Sequence, residues 1–135
     1  MDLTQHLAIG NDLVHIPGFK KSLSSAFKKR VFTKREVEQI EEYRANPAAR
    51  YATTWAAKEA VVKALKQLCQ GPPGLNWKDI EILRNSKIPT VKISKPRFQH
   101  LSFSLALSHD EDYAFAVVVA FSKLNSLRLS RPKKS

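Results

Sequence analysis

Cysteine is almost missing from these 135 residues: Cys69 stands alone. A single thiol excludes an internal disulfide and cannot by itself build a cysteine-based zinc site, so work in a reducing compartment is expected. Long apolar runs are missing too. Tyr113 to Phe121 is far shorter than the ~20 residues of a membrane-spanning helix, and its composition suits a strand. A soluble chain with no membrane partner is expected. The few residues before the first strand-like segment contain no arginine, so no cleavable targeting sequence is predicted. No internal repeat is present. Acidic residues are scarce as well: 12 against 23 lysines and arginines, for a formal net charge of +11.

That excess favours a polyanionic partner and says little about fold. Nucleic acid, an anionic membrane, an acidic protein or a phosphorylated cofactor all fit it. The basic residues cluster at Lys20 and Lys21, at Lys28 to Arg30, at Lys34 and Arg35, and in the tail from Arg128 to Lys134. The length and the 43% hydrophobic content suit one domain with one core. We place that domain at 1–124 and read 125–135 as a basic, flexible tail.

Leu7 to Ile16 is rich in Ile, Leu and Val and reads as a strand, although Gly10-Asn11 also suits a hairpin turn. Pro17-Gly18 is expected to break the segment. Phe19 to Arg30 then carries Phe19, Leu23, Ala26 and Phe27 at helical spacing, as a short basic amphipathic helix. Thr33 followed by Glu36 is a capping box opening a helix to about Arg44. Asn46-Pro47 is a cap and first-turn pair, and Ala48 to Leu68 is the longest helix. Strand-like pieces follow at Ile80 to Leu83, Thr90 to Ile93, Leu101 to Ser108 and Tyr113 to Phe121, the last two joined as an antiparallel hairpin. Each of those two alternates bulky with small residues, and the small face invites the long helix. The fold class is α+β, a long helix packed on a mainly antiparallel sheet.

On the long helix, Tyr51, Trp55, Val62 and Leu65 form an apolar stripe, with Glu59 and Lys63 at its edge about 40° apart. Such a pair is either an ordinary surface ion pair or part of a site. Asp12 has two readings as well. In a continuous strand it shares a face with Ala8, Gly10, Val14 and Ile16, where a carboxylate is costly unless paired, hydrogen-bonded or metal-bound. In a hairpin it belongs to a polar turn.

Four motifs occur in order: Gly10-Asn11-Asp12-Leu13-Val14; Arg30-Val31-Phe32-Thr33-Lys34-Arg35-Glu36; Trp55-Ala56-Ala57-Lys58-Glu59-Ala60-Val61-Val62-Lys63-Ala64; and Leu107-Ser108-His109 before Tyr113 to Val119. Together they span nearly the whole chain and resemble the holo-acyl-carrier-protein synthase family of 4'-phosphopantetheinyl transferases. The resemblance implies an enzyme that moves the 4'-phosphopantetheine arm of coenzyme A to a serine of an acidic apo acyl carrier protein, releasing 3',5'-ADP. It implies magnesium as cofactor, held by Asp12 and Glu59, which suits an ion that takes one or two carboxylates beside phosphates and water. Either Glu59 or a metal-bound water would take the serine proton. Lys63 would neutralise phosphate charge, and Ser108 and His109 would contact the nucleotide. Relatives often carry arginine where this chain has Thr54, with Arg50 one turn earlier as the candidate replacement. An arginine often found after the first strand, for carrier docking, is replaced by Lys20 and Lys21. The resemblance further implies a homotrimer with the coenzyme site at each subunit boundary. Its expected place is intracellular, in cytoplasm or mitochondrial matrix. The rival reading is a non-catalytic basic module that binds nucleic acid or an acidic protein, but it leaves Asp12 and Glu59 without a role, so no nucleic-acid partner is expected.

Overall fold

The structure is a computed structural model and describes residues 6–123. The basic tail expected at 125–135 lies outside the described residues. Five strands and four helices follow one another as β1 (Leu7–His15), α1 (Ile16–Ser22), α2 (Ser25–Val31), α3 (Lys34–Glu42), α4 (Pro47–Cys69), β2 (Ile80–Asn85), β3 (Ile88–Ile93), β4 (Leu101–His109) and β5 (Tyr113–Ser122). The strands β1, β5 and β4 form an antiparallel sheet in that order, and β2 with β3 forms a separate antiparallel hairpin. This is the α+β architecture expected from the sequence. No helix among the described residues is long and apolar enough to cross a membrane.

The 23-residue α4 is the axis of the core. Asn46 caps it by accepting the Ala49 amide at 3.1 Å, Pro47 occupies the first turn, and Gln70 ends it in the left-handed region. The single apolar stripe expected for this helix is too narrow a description. Ala52, Ala56, Ala57, Ala60, Val61, Ala64 and Leu65 are all buried, as are Thr53, Thr54 and Lys58, so most of its circumference is enclosed. Small residues make this possible, because the sheet can come close on one side while α1, α3 and β2 cover another. Gly10 marks the closest approach: a Cβ there would lie 1.9 Å from the Ala60 carbonyl oxygen. That contact settles the first segment as one continuous strand, not a hairpin.

Two expectations about the elements need correction. The strand does end ahead of Pro17-Gly18, at His15, but the next helix starts before the expected Phe19: α1 opens at Ile16, takes in Pro17 and Gly18, and is capped by His15, with the Gly18 amide donating to His15 Nδ1. The helix expected over Phe19 to Arg30 is two helices, divided at Leu23-Ser24. The Ser24 hydroxyl accepts the Phe27 amide at 3.1 Å and so starts α2 afresh. The Thr33–Glu36 capping box forms as expected, and α3 ends at Glu42.

The register of the sheet decides which side chains face α4. Leu105 lies opposite Val118 and Leu107 opposite Ala116, so the bulky side of β4 and the small side of β5 share the helix-facing layer. β1 adds Ala8, Gly10, Asp12 and Val14 to that layer. The outer face carries Leu7, Ile9 and Leu13 with Tyr113 and Phe115, all exposed. At the free edge of β1, the Gln67 side chain brackets one residue, accepting from the Ile9 amide at 3.2 Å and donating to the Ile9 carbonyl at 2.9 Å.

Candidate functional site

Where β1 crosses α4, three charged side chains meet. Asp12 occupies the helix-facing layer between Gly10 and Val14, and Lys63 Nζ pairs with its Oδ1 at 3.0 Å. The Lys63 ion pair thus reaches across to the strand. Glu59, one turn before Lys63, has no ion-pair or hydrogen-bond partner among the described residues. Burial pushes its carboxyl pKa up, the Asp12 charge pushes it further, and Lys63 and Lys66 pull it down. Two carboxylates therefore crowd one half-buried place with a single ammonium bound to one of them.

This donor set fits a divalent, oxygen-preferring cation. Such an ion would relieve the repulsion between Asp12 and Glu59, which Lys63 offsets only in part. No group of three or more His, Cys, Asp or Glu side chains able to hold a metal occurs among the described residues, so the chain offers these two carboxylates and leaves other positions to phosphate or water.

Beneath Glu59 lies a pair that the sequence reading missed. Lys58 and Glu36 are both fully buried and meet at 2.8 Å. The Lys58 ammonium also donates to the carbonyls of Val31, Trp77 and Ile80, while Glu36 accepts the amides of Thr33 and Ile82. One cation thereby joins the end of α2, the start of α3, the entry to β2 and the middle of α4. Desolvation lowers the Lys58 pKa and raises that of Glu36, in each case against the pull of the partner. The capping box was the available signal for Glu36, since its side chain had to turn inward.

A second cluster lies on the far side of α4, beside β4. Tyr43, Arg50, Arg84, Lys87 and His109 line a cleft of about 650 Å³. Arg50 stacks on the Tyr43 ring at 4.1 Å. The Arg84 guanidinium donates to the hydroxyls of Thr53 at 2.8 Å and Thr54 at 3.3 Å. Burial and the neighbouring Arg50 charge bring the Arg84 pKa down to about 10. Thr54, where the family resemblance leads one to expect an arginine, supplies a hydroxyl that holds an arginine from β2. Arg84 was absent from the sequence-based set, its signal being a lone cation closing an apolar strand. Of the expected nucleotide contacts, Arg50 and His109 share this cleft. Ser108 does not: it is exposed on the outer face of β4, opposite Phe115. Within one chain, Asp12 and this cleft occupy opposite edges of the three-stranded sheet.

The family model of the 4'-phosphopantetheinyl transferase superfamily matches residues 8–118. The holo-[acyl-carrier-protein] synthase of Chlamydia caviae is 38% identical over 117 residues, covering 82% of this chain and 93% of its own. That of Gloeobacter violaceus is 38% identical over 120 residues, covering 82% and 89%. Among solved structures, the Chronobacterium ammoniagenes ACPS-CoA complex superposes with a TM-score of 0.76 at 28% identity, covering 87% of this chain and 98% of that one. The Bacillus anthracis holo-(acyl-carrier-protein) synthase in complex with CoA (3',5'-ADP) gives 0.73 at 25% identity, covering 87% and 99%.

Proposed function

The chain belongs to the 4'-phosphopantetheinyl transferase superfamily, and from that premise we propose that it is a holo-acyl-carrier-protein synthase acting on coenzyme A and an apo acyl carrier protein. The observation that carries this reading is the meeting of Asp12, Glu59 and Lys63 where β1 crosses α4. In the reaction, the carrier serine oxygen bonds to the β-phosphorus of coenzyme A. The bond from that phosphorus to the bridging oxygen breaks, and 3',5'-ADP leaves. Glu59, free of any ion pair, receives the serine proton. Lys63 offsets charge on the diphosphate, and Arg50 with His109 orients the nucleotide. Magnesium, when held by Asp12 and Glu59, supplies further neutralisation of the diphosphate.

The assembly proposed is a homotrimer. Leu7, Ile9, Leu13, Tyr113 and Phe115 expose an apolar sheet face of the kind that subunits cover. The separation of Asp12 from the Arg50 and His109 cleft supports a site completed between neighbours, one subunit giving Asp12, Glu59 and Lys63 and the next its Ser108-His109 turn. The carrier's acidic surface is read by Lys20, Lys21, Lys28 and Lys29 on α1 and α2, so raised salt or charge reversal there slows association.

The decisive experiment incubates the protein with coenzyme A, magnesium and apo acyl carrier protein and weighs the carrier. One added phosphopantetheine is expected, abolished by a chelator, with Asp12→Ala and Glu59→Ala each about 100-fold slower yet folded. Full activity in both variants, or no mass gain with several apo carriers, overturns the reading.

A further inference from the structure

Three cations from three elements converge on the cleft beside β4, and none has an ion-pair partner among the described residues: Arg50 from α4, Arg84 from β2 and Lys87 from the turn after it. Glu36, an acid whose charge acts on Arg84, is already committed to Lys58. Glu42, exposed, lines an adjoining pocket with the same three cations and forms no ion pair with them. Like charges gathered without a paired acid weaken a fold unless an anion is shared among them.

The two arginines are also held in place. The Arg84 backbone is clamped by Gln39, which accepts its amide at 2.6 Å and donates to its carbonyl at 2.8 Å. Its guanidinium is held by the hydroxyls of Thr53 and Thr54, which spend two of its five N–H groups and leave the rest for a ligand. Arg50 is fixed by its stack on Tyr43. Two oriented guanidinium groups with an ammonium nearby suit a phosphate monoester, which carries up to two negative charges and three acceptor oxygens. Coenzyme A has one monoester, its 3'-phosphate; its other phosphates form the diphosphate.

We propose that Arg84, positioned by Thr53 and Thr54, is a specificity-determining residue that binds the 3'-phosphate together with Arg50 and Lys87 and so selects coenzyme A over its 3'-dephospho form. This rests on the proposed transferase reading. Arg84 lies outside all four sequence motifs that carried that reading.

The test measures Kd and turnover of the full chain with coenzyme A and with 3'-dephospho-coenzyme A. Arg84→Gln is expected to weaken coenzyme A binding about tenfold or more and to leave the dephospho donor unchanged, collapsing the preference. Thr53→Val should move KM for coenzyme A in the same direction with kcat unchanged, and Arg84→Lys should recover part of the preference. Melting temperature serves as the fold control, and relief of the charge crowding predicts no fall in Arg84→Gln. An equal loss for both donors makes Arg84 merely structural and overturns the proposal, as does an unchanged preference in a variant that still modifies the carrier. If the unmodified protein neither binds coenzyme A nor modifies a carrier, the transferase reading itself fails.

Discussion

At the scale of single residues, the most consequential group is one that touches no substrate in the proposed reaction. Lys58 directly precedes Glu59, yet its ammonium is turned away and saturated by a carboxylate and three carbonyls. Burial disfavours both charges of the Lys58–Glu36 pair, so its integrity depends on both partners being present. Lys58→Met should therefore cost about 3–5 kcal/mol in urea denaturation, because it strands a buried carboxylate. The double variant Lys58→Met, Glu36→Leu should regain most of that stability; a double variant as unstable as the single one would contradict the argument. Asp110 gives a pH-dependent counterpart at the surface. Its carboxylate accepts the amides of Tyr113 and Asp112, both at 2.8 Å, and these bonds hold its pKa below the ordinary 3.8. A depressed carboxyl contributes stability above its unfolded value and loses it as pH falls through the folded one. The melting temperature of the parent should accordingly exceed that of Asp110→Ala at neutral pH, and the gap should close on acidification below about pH 4. A gap independent of pH would assign the effect to something other than the charge.

Elements explain why some of this was legible beforehand and some was not. Caps are local, so Thr33–Glu36 and Asn46-Pro47 announced α3 and α4 in the sequence, and the alternation in Tyr113 to Phe121 announced β5. Ser24 is local too, but a serine inside a helical pattern either continues the helix or restarts it. Only its bond to the Phe27 amide distinguishes the two. Register is not local. Alternation assigns two faces to β4 and two to β5, yet it does not say that Leu105 lies beside Val118 and not beside Val119. Expecting the small face of β4, like that of β5, to meet the long helix is thus a natural error, since the structure turns Leu105 and Leu107 toward the helix beside Val118 and Ala116 of β5. The Asp12 and Glu59 pairing was legible because both stand in motifs, whereas the Arg84 contact spans 30 residues of sequence to Thr54. Gly10 shows how firmly one element sets another. Gly10→Ala places a methyl against the Ala60 carbonyl, so β1 must lift from α4. A loss of about 1–3 kcal/mol or more is expected in denaturation, together with weaker binding of the magnesium proposed for Asp12. Unchanged stability would mean that the strand has slack the contact denies.

For the whole molecule, the outer sheet face is the feature on which the proposed assembly turns. Leu13 and Phe115 are cross-strand partners there, exposed by 62% and 39% in the single chain, a pairing suited to burial against another subunit. Leu13→Glu with Phe115→Glu should shift the particle to monomers in light scattering and remove activity while α4 and its core persist. In the same frame, mixing inactive Glu59→Ala with inactive His109→Ala should restore partial activity if each site takes groups from two subunits. An active monomer would refute the assembly. One small contact bears on a different hazard. A strand at the margin of a sheet offers unpaired amides and carbonyls to any passing chain, and β1 is such a strand, rich in Ile, Leu and Val. Gln67 has already occupied that offer at Ile9, donor to acceptor and acceptor to donor, with a side chain that cannot propagate the ladder. The glutamine thus blocks pairing of another strand at Ile9, and a leucine in its place would leave the fold sound with that edge open.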